Sequence, residues 1–358
     1  MSETEPNPEG ARVLARIAER LGTRAPTLDY LFNPDPARGL AYMETPKVAC
    51  TAIKQYMQDK AADPEAGLLP ADVHDRGNSP LPMASTLPPA LQRTLLLGAA
   101  RRFSFTRNPY TRVLSAYLDK LVANEWERAR HLPRLGFGPK ARPTLLQVLR
   151  ALKAQPEHSR DIHFARQCRL LLAGDVAYDF LGSFETFAAD FQRMKTQFYG
   201  DDDPNPYRRI GMRHATGAGE KVAQYFGAEE IALVQDLFVG DFELLGYSTD
   251  IAAAAEPPRR AEGLPLSADL SARVIGVPPP GEDPDGFTAR LQAAMAEGRM
   301  TALRAAELFL RAGLEAIGRP EAARLHGEGI ELLRRLAMPV RIEQELAGFR
   351  AALARAGA

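Results

Sequence analysis

The sharpest change of hydrophobic period along the chain lies in Arg101–Lys120, RRFSFTRNPYTRVLSAYLDK. An apolar, β-favouring run, Phe103–Thr106, breaks at Arg107-Asn108-Pro109, after which Val113, Leu114, Tyr117, Leu118 and Leu121 recur at helical spacing. This pattern predicts a strand, a tight turn and a helix. Proline suits the first helical position because its missing N–H has no partner there, and the neighbouring first-turn N–H groups can hold an anion. Arg107 ends the strand and Ser115 lies eight residues on, inside the helix. A guanidinium fork and a hydroxyl so placed can close on one phosphate. A cap at Arg107 and a small packing residue at Ser115 fit this stretch equally well.

A second change of period follows the same plan. Leu40–Thr45 reads as a short strand, then Pro46, Lys47, Val48, Ala49, Cys50 and Thr51 form a loop, and Ile53 and Met57 begin a helix that carries the basic Lys54. A strand-to-helix loop with a lysine and a hydroxyl residue has the layout of a phosphate loop. The G-x-x-x-x-G-K-[ST] spacing is absent, which disfavours an ATP or GTP enzyme of the Walker type.

Together, PKVACTAIK and RNPYTRVLSAY resemble the two cofactor motifs of the carbohydrate sulfotransferases that act on chondroitin-like glycans. Ile162-His163-Phe164, Cys168, YDFLGSFET at 178–186, Tyr225-Phe226 and DFELLGY at 241–247 are similar to further landmarks in that family's order, so the resemblance spans residues 38–248. It implies a P-loop-like parallel α/β sheet flanked by helices, and a sulfuryl donor, 3′-phosphoadenosine-5′-phosphosulfate (PAPS). The first motif, Pro46–Thr51, would hold the 5′-phosphosulfate, and Arg107 with Ser115 the 3′-phosphate. Lys47 would neutralise charge on the bridging oxygen. The family commonly carries its base between the two motifs, where His74 falls; His163 matches another histidine landmark and either takes the acceptor proton instead or orients the acceptor. Imidazole suits either role near neutrality, and the two candidates stay open. No metal is expected.

Composition narrows the class. The chain has 358 residues, 45% of them hydrophobic, enough for a substantial core. Forty-five basic and 45 acidic residues cancel, so no global field draws nucleic acid or an anionic membrane. MSETEPNPEG lacks the basic start and apolar core of a signal peptide, and no run of eighteen apolar residues occurs. Animal members of the resembled family are anchored in the Golgi membrane, so a cytoplasmic protein of bacterial origin is expected. The two cysteines, Cys50 and Cys168, read as small buried thiols in a reducing compartment; the resembled family's secretory members pair a cysteine at the position of Cys168 with a second one that is missing here.

Along the chain, Ala11–Leu21 predicts an amphipathic helix, and 61–90 a Pro-rich loop containing His74. Residues 124–150 read as irregular and basic, with Trp126, Arg128, Arg130, His131, Arg134, Lys140 and Arg142. Such a mixture can stack on a sugar and pair with anionic groups, or be a solvated face. Helices are predicted over 143–153, 186–198 and 222–240, and a strand over 176–183 ending at Glu185, a candidate partner for a lysine near the cofactor. Arg208, Arg209, Arg213 and His214 lead into TGAGEK at 216–221, a surface loop or a cover for the adenosine. The expected division is an N-terminal helical extension (1–37), a transfer domain (38–250), a Pro-rich linker (251–286) and a C-terminal helical region (287–358) suited to contact with a partner or a second copy. The expected activity is transfer of a sulfuryl group from PAPS to a hydroxyl of a carbohydrate or glycolipid. A nucleotide-dependent kinase, a non-catalytic nucleotide or glycan binder, and an interaction protein built on the helical tail are the alternatives.

Overall fold

The computed structural model describes residues 7–62, 72–97, 100–173, 175–203, 217–260, 284–296, 302–336 and 339–356. Arg208, Arg209, Arg213, His214 and Thr216 lie outside the described residues. The chain divides into two compact units, one of Met1–Leu14 with Pro26–Pro265 and one of Ala15–Ala25 with Leu266–Ala358.

The first unit is α/β. Its sheet has four strands in the order β1 (Phe32–Asp35), β2 (Leu40–Met43), β3 (Arg101–Thr106) and β4 (Phe180–Ser183). β2, β3 and β4 run parallel, with Tyr42 opposite Phe103 and Thr106 opposite Ser183. Their residues are buried on both faces except at Arg101, as a parallel sheet covered by helices requires. β1 is antiparallel to β2, with Phe32 opposite Met43. The periodicity did not announce this edge strand, because FNPD is short and contains a proline, which an edge tolerates.

The aromatic side chains of the strands lock the sheet to its helices. Tyr42 stacks on Phe103 at 5.3 Å, and Phe105 meets Phe180 and Phe187 at 5.8 and 5.4 Å. A Cβ on Gly182 would sit 2.2 Å from the Phe105 ring, so only glycine fits there. Helix Cys50–Ala61 follows β2, and helix Pro109–Tyr117 follows β3. The latter widens into a π-helical segment, Leu118–Ala123, a form that is frequent at functional sites.

Several predicted boundaries move. Residues 124–150 are not irregular: Asn124 accepts from the N–H groups of Trp126 and Glu127 and caps a helix over Glu125–His131. A capping box at Thr144 and Gln147 starts the next helix at Leu145. The strand before Glu185 begins only at Phe180. The single helix expected over 222–240 is three, Ala218–Tyr225, Ala228–Leu237 and Val239–Leu245, broken where Glu230 reaches back to the N–H of Gly227.

The second unit carries helices Pro284–Ala296, Ala302–Glu315, Ala322–Arg335 and Pro339–Ala356. Phe287, Leu291, Phe309, Leu325 and Leu333 form its core. Gly313 and Gly329 let two helices approach closely: a Cβ on either would lie 2.6 to 2.7 Å from the facing helix. Leu314 of the helix Ala302–Glu315 is exposed.

Candidate active site

The two phosphate-loop candidates follow the carboxyl ends of adjacent parallel strands, β2 and β3, the place where open α/β sheets bind ligands. Side chains stitch these ends together: Ser104 Oγ donates to Met43 O (2.6 Å), and Thr45 Oγ1 donates to Phe105 O. In the first loop Lys47 and Ala49 take left-handed backbone angles, φ 70° and 54°. Non-glycine residues adopt these at a cost, and such strain concentrates at functional sites. The loop carbonyls are held from beneath. Arg112 Nε donates to Pro46 O (3.0 Å) and Arg107 Nη1 to Lys47 O (3.2 Å). The N–H groups of residues 47–51 donate to no acceptor among the described residues, a cradle of the kind that receives an anion. Thr51 is exposed beside it.

Arg107 is 7% exposed and spans both loops. Its Nε donates to Thr111 Oγ1 (3.0 Å), and its guanidinium lies 4.0 Å over the Phe184 ring. Burial lowers its pKa to about 10, against the opposing pull of Glu185, so it remains a cation at neutral pH. Gln167 clasps the Arg107 peptide, accepting from its N–H and donating to its carbonyl, both at 2.8 Å. Ser115 is buried in the helix that follows. Lys47 Nζ pairs with Asp119 at 3.0 Å, on the π-helical segment, and Lys120 joins the same carboxylate at 3.2 Å. Burial lowers the Lys47 pKa, with Asp119 pulling the other way.

Fully buried Arg112 ties His163 to this loop. Besides Pro46 O, it donates from Nη2 to Ile162 O (3.1 Å) and from Nη1 to Ala165 O (2.7 Å), so the peptide around His163 is fastened to the residue before Lys47. His163 Nδ1 donates to Asp161 Oδ1 at 2.6 Å. That carboxylate places the ring proton on Nδ1 and leaves Nε2 with its lone pair, the form a general base needs. Burial would raise the Asp161 pKa, but the hydrogen bond from His163 holds it well below the usual carboxylate range. His131 joins them, Nδ1 3.8 Å from Asp161 Oδ2. Two imidazoles and a carboxylate resemble a divalent-cation site. Both Asp161 oxygens are already held, one by His163 and the other by Arg134 at 2.8 Å, so the carboxylate is committed to orienting the imidazole.

The profile of the sulfotransferase family matches residues 30–248, more than half of the chain. The chain belongs to the sulfotransferase family. No curated protein and no solved structure matches it. Family membership supports a sulfuryl transfer activity, and no helix among the described residues of this sulfotransferase is long and apolar enough to cross a membrane.

His74 stands on the other side of the first loop, and its geometry differs from that of His163. Lys54 is fully buried, and its Nζ lies 2.8 Å from Glu44 Oε2 as an ion pair and 2.6 Å from His74 Nδ1. His74 Nε2 lies 3.2 Å from Thr51 Oγ1. An ammonium group can only donate, so Nδ1 accepts and the ring proton sits on Nε2. Burial first, and then Lys54, lower the His74 pKa. The neutral imidazole therefore belongs to the folded state. The unfolded ring, titrating at about 6.5, takes up the proton more readily, and this part of the stability is lost as pH falls below that value. His74→Gln should flatten the decline in urea-unfolding stability between pH 7 and pH 5. Parallel wild-type and variant slopes would show that His74 is not the linked group.

The two strand-end loops also rest on residues farther along the chain. Glu185, considered as a lysine partner, instead accepts from the Asn108 N–H (2.8 Å), Ser183 Oγ (2.5 Å) and Tyr247 OH (3.2 Å). Within DFELLGY, Asp241 and Tyr247 make polar contacts to the strand ends and to the segment that carries Gln167. Asp241 accepts from the N–H groups of Gln167 and Cys168, both at 2.8 Å, and Tyr247 OH lies 3.0 Å from Thr106 Oγ1. Their sequence signal was a buried polar residue inside an apolar run. Both cysteines are free. Burial pushes the Cys50 thiol up to about 12 and raises Cys168 as well, which makes them poor nucleophiles. Of the basic group at 124–150, Arg128 and His131 are buried, while Trp126 is 68% exposed with Arg130 5.6 Å from its ring.

Proposed function

We propose that this sulfotransferase moves a sulfuryl group from PAPS to a hydroxyl of a carbohydrate or glycolipid. The carrying observation is the pair of adjacent strand-end loops spanned by buried Arg107: a cradle of N–H groups at 47–51 on one side, and a cation followed by Ser115 on the other. These features suit a nucleotide with phosphates at both ends of its ribose. In this reading Arg107 and Ser115 hold the 3′-phosphate, and Pro46–Thr51 line the 5′-phosphosulfate, with Thr51 donating to the phosphate.

The reaction is an in-line displacement: the acceptor oxygen forms a bond to sulfur as the bond from sulfur to the 5′-phosphate oxygen breaks. Such transfers are catalysed chiefly by positioning and charge stabilisation. Lys47 and the loop N–H groups meet the negative charge that grows on the departing oxygen. His163, with Nε2 open and Asp161 behind it, takes the acceptor proton, while His74, already a donor at Nε2, holds Thr51. Trp126 and Arg130 offer a ring for a sugar face and a cation for an anionic substituent. Residues 38–250 constitute the transfer domain, and the helices of 287–358 an appended module for a partner or a second copy.

Calorimetric titration with 3′-phosphoadenosine 5′-phosphate, with adenosine 5′-phosphate as control, tests the reading: tight binding should require the 3′-phosphate. Arg107→Ala should weaken affinity for PAPS and for its desulfated product together by about 10- to 100-fold, the range of a lost hydrogen bond to a charged group, and leave adenosine 5′-phosphate nearly unaffected. Equal binding of the two nucleotides by the wild-type protein would remove the cofactor assignment.

A further inference from the structure

Beside the first phosphate loop, four side chains form a line: Glu44, Lys54, His74 and Thr51. Glu44 precedes the loop, Thr51 is its last residue, and Lys54 comes from the first turns of the following helix. Lys54 and Glu44 are 0% and 2% exposed and stand 2.8 Å apart. A buried ion pair contributes little net stability compared with apolar residues of the same shape, so its presence beside a ligand loop calls for another explanation. The geometry supplies one. Lys54 Nζ is 2.6 Å from His74 Nδ1, and His74 Nε2 is 3.2 Å from exposed Thr51 Oγ1.

We propose that the Lys54–Glu44 pair is a positioning device that fixes His74 as the Nε2–H tautomer, so that His74 donates to Thr51 Oγ1 and turns the Thr51 proton outward to the 5′-phosphate of the donor nucleotide. Each link follows from the one before. Glu44 holds the ammonium in place, and the ammonium has only protons to offer. Nδ1 must then accept, Nε2 must carry the ring proton, and Thr51 receives that hydrogen bond on its oxygen. Its own O–H is left to donate elsewhere. The hydroxyl is thereby a directed donor, where a free threonine rotor would spend part of its time as an acceptor facing a phosphate oxygen. The last link rests on the reading of Thr51 as a 5′-phosphate ligand; the tautomer does not.

The test is a long-range 1H–15N correlation spectrum of the full-length protein labelled at histidine, without nucleotide, with the His74 signals assigned by their loss in His74→Gln. The wild-type protein should show His74 in the Nε2–H form alone. Lys54→Met combined with Glu44→Leu, which removes both buried charges together, should give a mixture of the two tautomers and weaken binding of 3′-phosphoadenosine 5′-phosphate about three- to tenfold, the range of one oriented hydrogen bond. Lys54→Arg, which keeps the cation, should retain the Nε2–H form. A wild-type Nδ1–H signal overturns the proposal whether or not the paired variant folds, and so does a paired variant whose tautomer is unchanged. If the chain were not a PAPS enzyme, the nucleotide would fail to bind while the tautomer pattern persisted, which separates the two failures.

Discussion

His163→Ala should slow single-turnover transfer by about 10²- to 10⁴-fold, the usual contribution of a positioned general base, and should leave affinity for 3′-phosphoadenosine 5′-phosphate unchanged. The measurement uses saturating PAPS and acceptor, so that binding drops out of the rate. The choice of His163 over His74 follows from which ring nitrogen is open. Asp161 fixes the His163 proton on Nδ1 at 2.6 Å, and Nε2 faces no partner among the described residues. Lys54 places the His74 proton on Nε2, where it is directed at Thr51. His74→Gln should therefore act mainly on donor affinity.

Asp161→Asn refines this expectation. Oδ1 accepts from both the backbone N–H (3.0 Å) and Nδ1 (2.6 Å) of His163, so a carboxamide turns its oxygen there and its NH2 toward Arg134, which keeps the Nδ1–H tautomer and removes only the carboxylate's charge. The rate should fall by much less than in His163→Ala, because Nε2 keeps its lone pair and only the charge that stabilises the protonated imidazole is lost. If His74→Gln rather than His163→Ala abolishes the single-turnover step, the assignment of the base reverses. If both variants transfer at the wild-type rate, neither histidine is the base.

Both loops were legible because their chemistry is local. A change from β-favouring residues to helical period, with proline at the first helical position, marks Arg107–Pro109, and the structure puts that turn where the pattern predicts. The bend between β2 and its helix likewise falls on the predicted loop, although the helix begins at Cys50, so Cys50 and Thr51 are its first residues. What could not be read was how side chains distant in sequence divide the work. Nothing near His74 in the chain shows that Lys54, twenty residues earlier, occupies its Nδ1. Nor does DIHFARQ show that Gln167 clasps Arg107, sixty residues away. The His131, Asp161 and His163 group was missed because His131 is well separated in sequence from the other two and only the fold brings them together. The basic stretch at 124–150 was misread as irregular because its helix starts from a single asparagine cap and is short. Amphipathic period is weak over so few turns.

Lys47→Ala should lower kcat by about 10²- to 10³-fold, the cost of removing one donor from a developing anionic charge, with a much smaller change in affinity for the desulfated nucleotide. The split matters because the bridging oxygen gains its charge only as the sulfuryl group departs, so an interaction with it stabilises the transition state more than the bound ground state. The substitution is also clean. Lys47 sits at φ 70°, and alanine carries the same left-handed strain as lysine, so the loop backbone keeps its form where glycine would relax it. Asp119, the partner left behind, retains Lys120 at 3.2 Å and is not stranded as a buried unpaired charge. Lys120 is in turn paired with Glu127 at 2.9 Å, which holds it back from replacing the missing ammonium at the loop. A kcat within about threefold of wild type, far below the loss expected for such a donor, would assign charge stabilisation to the N–H groups of residues 47–51 alone and leave Lys47 the lesser role of anchoring the π-helical segment through Asp119.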